Sequence, residues 1–208
     1  MVELSTDGEL LRIISLDGVS DPEAIAHVAG DNFLVSDEGR KRILEVTIGE
    51  RASKVTASEP SYYATTDWQF PNLGYEGLDI GNGLLYVAQE MLPSAVTVVT
   101  RATPGIIPTV REWGMNAFSR LFMLDISSLA IEKESGNVLV MSHQSALIAQ
   151  YSPEGRVLGG LLLWKGRHGL RRTIPQAEGL AVGPGKEIFV VSEPNLFYRF
   201  SPLAVSGD

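Results

Sequence analysis

Acidic residues recur at a nearly constant interval along this 208-residue chain. Glu23, Glu76 and Glu178 each open a short apolar stretch, and Ser127 holds the same place in a fourth, at intervals of 53, 51 and 51 residues. A second acidic set follows the apolar stretches: Asp37, Glu90 and Glu193. Carboxylates that are brought together repel one another unless a cation neutralises them. Since the donors are oxygens and no thiolate is present, the pattern favours a hard divalent cation over zinc or copper.

The stretches that carry these residues share one internal pattern. Each begins with a short alternating strand, turns at Gly, Asn or Asp, and continues into a β-branched strand and a third alternating strand. In the unit that starts at Glu178 these strands are "EGLAV", "EIFVVS" and "LFYRFS". A weaker fourth strand closes the first three units as "SKVTAS", "TVREW" and "VLGGLLLW". Four period-2 strands in a unit of about 50 residues are typical of a β-propeller blade.

The repeats predict an all-β protein, a β-propeller of four-stranded antiparallel blades that forms a single domain over residues 1–208. The repeats start near residues 23, 76, 127 and 178, and residues 2–16 form a partial blade with a third and a fourth strand only. The last unit ends after its third strand. We therefore expect an incomplete N-terminal blade beside the C-terminal unit, and an irregularly closed ring.

Composition limits the classes of partner and location. The chain has no cysteine, so that disulfides and thiolate metal sites are excluded. A net charge of −8 disfavours nucleic acid as a partner. The longest apolar run, "VLGGLLLW", is too short to span a bilayer, and no signal peptide is visible at the start. We expect this chain alone to be soluble.

Several motifs together resemble one family. They are "DPEAIA" with "LVSDEGRKRILEVTI", "YEGLDI" with "LYVAQE", "DISSLAI", and "IPQAEGLAV" with "VVSEPNLF". Across residues 2–201 the chain resembles the SdiA-regulated (YjiK-like) bacterial β-propellers, which are distantly related to NHL-repeat propellers. The resemblance implies a five-bladed propeller that binds calcium. It also implies the bacterial cell envelope, periplasmic or attached to the plasma membrane through an N-terminal anchor absent from this chain.

The first strand of each propeller blade lines the central channel, which predicts where the acidic residues meet. Glu23, Glu76 and Glu178 would form a ring with Ser127 in the fourth place, and Asp37, Glu90 and Glu193 would add a second layer at the same opening. We expect a calcium ion there. The alternative is that each glutamate accepts backbone N–H groups of the next blade and locks the blades without metal. Glu38 should point away from Asp37 into solvent, because successive strand residues face opposite sides.

Other residues are candidates for the rim of the channel. His143 takes the channel-facing place in the third unit, while Ser142 beside it faces the other way and no GxSxG elbow occurs. The remaining rim candidates, for an unknown protein or small-molecule ligand at the channel mouth, are Ser127, Arg171, Arg172, Trp68 and Asn195.

Two functions compete on this evidence. The favoured one is a calcium-binding, non-catalytic propeller that acts as an interaction or sensing module of the bacterial cell envelope. The alternative is a metal-dependent hydrolase, of lactonase or phosphoesterase type, that uses a central calcium. An enzyme needs a base or nucleophile near the metal. The sequence offers His143 for that role without an evident partner, and for this reason it favours the non-catalytic function.

Overall fold

The protein's computed structural model describes residues 1–40, 42–59, 75–90, 95–100, 110–113 and 122–202. The N-terminal strands are β1 (Val2–Leu4), β2 (Leu10–Ile13) and β3 (Ser15–Asp17). The first unit has β4 (Pro22–Ala29), β5 (Asn32–Asp37), a 3-10 helix (Glu38–Arg40), β6 (Arg42–Thr47) and β7 (Lys54–Thr56). The second has β8 (Tyr75–Gly81), β9 (Leu84–Gln89), β10 (Ala95–Thr100) and β11 (Val110–Trp113). The third has β12 (Ser128–Ile131), β13 (Val138–Ser142), β14 (Leu147–Tyr151) and β15 (Val157–Leu162), and the last has β16 (Ala177–Val182), β17 (Ile188–Ser192) and β18 (Leu196–Phe200).

The sheets follow the repeats of the sequence. The second and third units are four-stranded antiparallel sheets in which the strands pair in chain order, β8 to β11 and β12 to β15. In the last unit β16, β17 and β18 pair in the same way. The prediction of an all-β protein with four-stranded antiparallel sheets is confirmed for the second and third units.

The first unit departs from the predicted pattern. Strands β4, β5 and β6 form an antiparallel sheet, but β7, predicted as an ordinary fourth strand, pairs in parallel with the N-terminal strand β3. A single bridge between Glu45 and Ser58 joins this region to β6. The prediction of four antiparallel strands is therefore wrong for this unit, because β3 occupies an edge that a local repeat pattern does not reveal.

The core lies between the faces of successive sheets. Each inner strand packs against the next one along the chain: β4 against β8, β8 against β12, and β12 against β16. Between the second and third sheets, Trp113 is buried with Tyr86 and Tyr151 in edge-to-face contacts. The indole N–H of Trp113 donates to the carbonyl of Pro153 at 2.8 Å. This arrangement of stacked sheets sets the inner strands around a common region.

The N-terminal hairpin of β1 and β2 lies beside the last sheet. Arg199 of β18 forms a 2.9 Å ion pair with Asp7 in the hairpin turn, and the ring of Phe197 packs against Gly8. The hairpin remains a separate two-stranded sheet, and a groove of about 500 Å³ lies between it and the last sheet. Among the described residues there is no helix long and apolar enough to cross a membrane.

Candidate carboxylate site at the inner strands

The three repeat glutamates lie in β-bulges. The register of the inner strand against the second strand breaks between Pro22 and Ile25, between Tyr75 and Gly77, and between Ala177 and Gly179. Glu23, Glu76 and Glu178 lie inside these breaks. In the unit that has Ser127 instead, the pairing is regular over Ser128–Ile131. Bulges re-aim side chains and are frequent beside functional sites, so that each glutamate leaves the regular alternation of its strand.

Glu76 lies at the centre of the acidic group. Its side chain is half-buried. Burial is the largest cause that raises its pKa to about 8, and the next causes are repulsion by Glu23, Glu38, Glu90 and Glu178. Carboxylates from three inner strands and from two strand ends therefore lie close enough together for their charges to interact.

The two outer glutamates of the ring respond in the same direction. Both residues are exposed at the surface, so that their desolvation is only partial. This desolvation, followed by repulsion from Asp21 and Glu38, raises the pKa of Glu23 to about 7. Desolvation and the nearby Glu193 also raise the pKa of Glu178, and attraction to His143 partly opposes this. The structure thus brings the ring together with Glu90 and Glu193 of the predicted second layer.

The tightest group of carboxylates contains two residues that the sequence prediction missed. Oxygen atoms of Asp21, Glu23 and Glu38 all lie within 4.8 Å of one another. Glu38 was expected in solvent, but β5 ends at Asp37 and Glu38 begins a 3-10 helix, where strand alternation no longer applies. Asp21 precedes β4 and Glu23 lies in its bulge, so that strand alternation did not relate the two residues.

Asp37 does not belong with the candidate ligands. Its side chain is fully buried, and it accepts hydrogen bonds from the hydroxyl of Ser20 at 2.6 Å and from the guanidinium of Arg42 at 3.1 Å. Burial opposes ionisation, but these hydrogen bonds outweigh it and hold the pKa of Asp37 below its ordinary value. Asp37 fixes the turn that carries Asp21 and Glu38, and this corrects its expected place in the second layer.

Ser127 ties two units together. It is buried, its hydroxyl donates to the carbonyl of Ala177 at 2.7 Å, and its backbone N–H donates to the carbonyl of Met141 at 2.9 Å. The residue that replaces glutamate in the third repeat therefore forms a hydrogen bond between two sheets. Its two acceptors hold the start of β16 close to the end of β13.

His143 has a partner that sequence reasoning missed. Its Nδ1 lies 2.7 Å from Oδ2 of Asp125, whose side chain is fully buried, while about a third of the His143 side chain is exposed (31%). The other oxygen, Oδ1, accepts the hydroxyl of Ser142 and the backbone N–H of Gln144. Asp125 precedes β12 by three residues, and its contact with the end of β13 arises only from the pairing of those two strands.

The remaining rim candidates are scattered. Asn195 lines the groove that also contains Glu178 and Glu193. Arg171 and Arg172 are exposed and line a neighbouring cleft of about 390 Å³. Trp68 lies outside the described residues. The groove and this cleft share Leu196 and Phe197 in their walls, so that the basic loop adjoins the acidic groove.

The donors present fit a hard cation. The group consists of carboxylates on bulged inner strands and strand ends, and desolvation together with repulsion between neighbouring carboxylates raises the pKa values of Glu23 and Glu76. Calcium accepts six to eight oxygen ligands with irregular geometry, which suits acidic residues drawn from several strands.

The antiparallel sheets are stacked so that the inner strand of each contacts the inner strand of the next, and this arrangement defines a β-propeller protein. The chain belongs to the SdiA-regulated family, whose model matches residues 1–201. This confirms the family resemblance described above.

Solved structures with a similar fold include two enzymes and a protein of unknown function. A gluconolactonase from Xanthomonas campestris is 14% identical with a TM-score of 0.53, over 97% of this chain and 65% of that one. A luciferin-regenerating enzyme is 17% identical with a TM-score of 0.53, over 92% of this chain and 81% of that one. A protein of unknown function from Bacteroides thetaiotaomicron is 14% identical with a TM-score of 0.50, over 91% of this chain and 47% of that one. The chain thus spans about half to two thirds of two of these structures, and the similarity concerns the fold alone.

Proposed function

We propose that this chain is a calcium-binding propeller whose metal site is the ring of Glu23, Glu76 and Glu178. The observation that carries the proposal is the convergence of these three bulged glutamates on one another. Glu76 lies within the field of four other carboxylates. Glu90 and Glu193 keep the supporting places predicted for them, Glu38 replaces Asp37, and Asp21 adds an oxygen beside Glu23.

The physical reason is the cost of ionising neighbouring carboxylates. Like charges near each other disfavour the ionised form, and the folded chain then holds protons that the unfolded chain has lost. A divalent cation removes this penalty and is held by the same oxygens. Calcium suits the site better than magnesium, because magnesium requires near-octahedral geometry at shorter distances.

The proposed biological role follows the family. We place the propeller in the bacterial cell envelope, with five blades and with a protein or small molecule as ligand at the channel mouth. The non-catalytic assignment depended on His143 having no evident partner. Its contact with Asp125 supports the hydrolase alternative.

Isothermal calorimetry of calcium binding tests the proposal. The wild type should bind calcium near neutral pH, and Glu76→Gln should weaken the binding at least about tenfold, because the variant keeps the shape and removes the central charge. Glu50→Gln is the matched control, since Glu50 is exposed and outside the acidic group, and its affinity should equal that of the wild type. The proposal fails if the wild type shows no calcium heat, or if both variants bind calcium equally.

A further inference from the structure

Asp125 and His143 form a fixed pair at the edge of the carboxylate ring. Asp125 is fully buried, and its two oxygens together contact the imidazole, the Ser142 hydroxyl and the Gln144 N–H. Hydrogen bonds from Ser142 and Gln144 hold Oδ1, while Oδ2 is buried 2.7 Å from Nδ1 of His143 without hydrogen-bond geometry. The histidine side chain is the exposed member of the pair.

The contact with Asp125 favours one tautomer of the imidazole. An ionised carboxylate only accepts hydrogen bonds, so that a proton on Nδ1 would face Oδ2 of Asp125 and leave the lone pair on Nε2. Among the described residues, no hydrogen-bond partner of His143 Nε2 occurs. This is the arrangement in which a buried acid orients a histidine for proton transfer at Nε2.

Turn formation alone does not account for the histidine. In the first unit, Asp37 and Ser20 make the same serine–aspartate contact between the end of the second strand and the segment before the first strand. Asp125 and Ser142 make it in the third unit with the two residue types exchanged. In the first unit Arg42 also donates to Asp37, and no histidine takes part. The serine–aspartate contact therefore forms there without a counterpart of His143.

Glu178, whose charge interacts with His143, lines a groove with apolar walls. Ser127 holds the ends of β13 and β16 together, and Glu178 at the start of β16 attracts His143. Glu178 and Glu193 also line the groove of about 500 Å³ beside the N-terminal hairpin. The apolar residues of its walls are Val2, Leu4, Leu10, Val191, Leu196 and Phe197.

We propose that His143, oriented by Asp125, is the general base of a hydrolase that cleaves carboxylic esters or lactones carrying an apolar chain. The inference rests on the proposed function, since calcium bound by the ring would polarise the ester carbonyl. The apolar chain lies in the groove, and the carbonyl lies at its Glu178 end. His143 contacts the reacting water and is a catalytic residue, while Asp125 is a positioning residue.

The reaction balances with water as the only co-reactant. Nε2 of His143 removes a proton from water as the water oxygen forms a bond to the carbonyl carbon. The bond from that carbon to the leaving alkoxide then breaks, and the imidazolium returns the proton to the alkoxide oxygen. The products are a carboxylic acid and an alcohol, which remain in one molecule when the substrate is a lactone.

The test uses p-nitrophenyl acetate, p-nitrophenyl octanoate and γ-decanolactone with the full chain in calcium. We expect the octanoate to be cleaved at least about tenfold more efficiently than the acetate, because its chain is buried in the groove. His143→Ala should lower kcat by at least about 100-fold, and added imidazole should restore part of it. Asp125→Asn should lower kcat and leave KM unchanged. His27→Gln is the matched control, because His27 is exposed and bonds only to the Gly30 carbonyl among the described residues.

Calcium calorimetry on the same samples separates the two proposals. Normal calcium binding with no cleavage that depends on His143, or with no rescue by imidazole, overturns the catalytic inference and leaves the calcium site standing. Cleavage that depends on His143 in a protein that does not bind calcium supports the base and refutes the metal site. Unfolding of His143→Ala is detected by circular dichroism, and His143→Gln then replaces it in the kinetic comparison.

Discussion

Asp37 and Glu38 are neighbours in the chain and meet opposite electrostatic conditions. Asp37 is buried, and hydrogen bonds from Ser20 and Arg42 stabilise its charge. Glu38 is only partly buried, and its charge adds to that of Asp21 and Glu23. The first carboxylate therefore stabilises the fold, while the second adds negative charge to the candidate metal site.

Exchanging each of these two residues for its amide separates the roles. Asp37→Asn should lower the free energy of unfolding by about 1–3 kcal/mol, because buried donors lose a charged acceptor. Glu38→Gln should leave the stability of the metal-free protein unchanged or raise it, and should weaken calcium binding. Urea unfolding in chelator and calorimetry in calcium measure the two quantities. Equal effects of the two variants on both measurements would contradict this division.

The raised pKa values of Glu23 and Glu76 predict how stability changes with pH. Their ordinary value is 4.5, and in the folded chain they reach about 7 and about 8. Between those limits the folded state binds more protons than the unfolded chain, so that the free energy of unfolding falls as pH rises. The low pKa of Asp37 acts in the opposite direction, but only in more acidic solution.

Urea unfolding in chelator at about pH 5 and about pH 8 checks this prediction. The wild type should be less stable at the higher pH, and Glu76→Gln should show a smaller loss because one titrating group is gone. Stability that is equal or greater at about pH 8, with the same slope in both proteins, would contradict the electrostatic description of the ring.

At the scale of single elements, the bulges position the glutamates and bring neighbouring strands close. Gly77 follows Glu76, and a Cβ added at Gly77 would lie 2.7 Å from the backbone nitrogen of Leu129 in the next inner strand. Backbone atoms in a packed strand cannot move aside as a flexible side chain does. The absence of a side chain at Gly77 is thus required for contact between the second and third sheets.

Gly77→Ala should lower the free energy of unfolding by about 1–3 kcal/mol, as expected for overpacking. Gly159→Ala is the matched control, since Gly159 also lies in a strand and has no atom within 4 Å of an added Cβ. The control should change stability by no more than about 0.5 kcal/mol. Chemical denaturation of both variants measures the two changes in the free energy of unfolding. Equal changes at the two positions would contradict a close contact between the second and third sheets at Gly77.

Strand content could be predicted from sequence because each strand carries its own period-2 pattern. The bulges could not, since a single extra residue leaves no local mark in "YEGLDI". The sequence also did not reveal that β5 ends at Asp37 and that a 3-10 helix begins at Glu38. For this reason the prediction included Asp37 among the candidate ligands and excluded Glu38. The contact between Asp125 and His143 spans two strands and depends on their pairing, which hydrophobic pattern alone does not give.

At the scale of the whole molecule, repetition made the site predictable. The constant interval placed Glu23, Glu76 and Glu178 at equivalent points, and stacking of the sheets then brought them together. The parallel pairing of β3 with β7 joins residues far apart in the chain, and no repeat predicts it. The acidic residues that give the net charge of −8 are unevenly distributed, since several of them cluster around Glu76.

Calcium binding by this group is the central claim, and thermal unfolding at about pH 8 tests it most directly. Calcium that binds the folded state alone stabilises it by about 2.7 kcal/mol at 100 times Kd, which corresponds to a rise in Tm of about 5–10 °C for a chain of this size. We predict such a rise between chelator and millimolar calcium for the wild type, and a clearly smaller one for Glu76→Gln. Superimposable wild-type melting curves in the two buffers would contradict the claim and would leave the glutamates as structural residues of the inner strands.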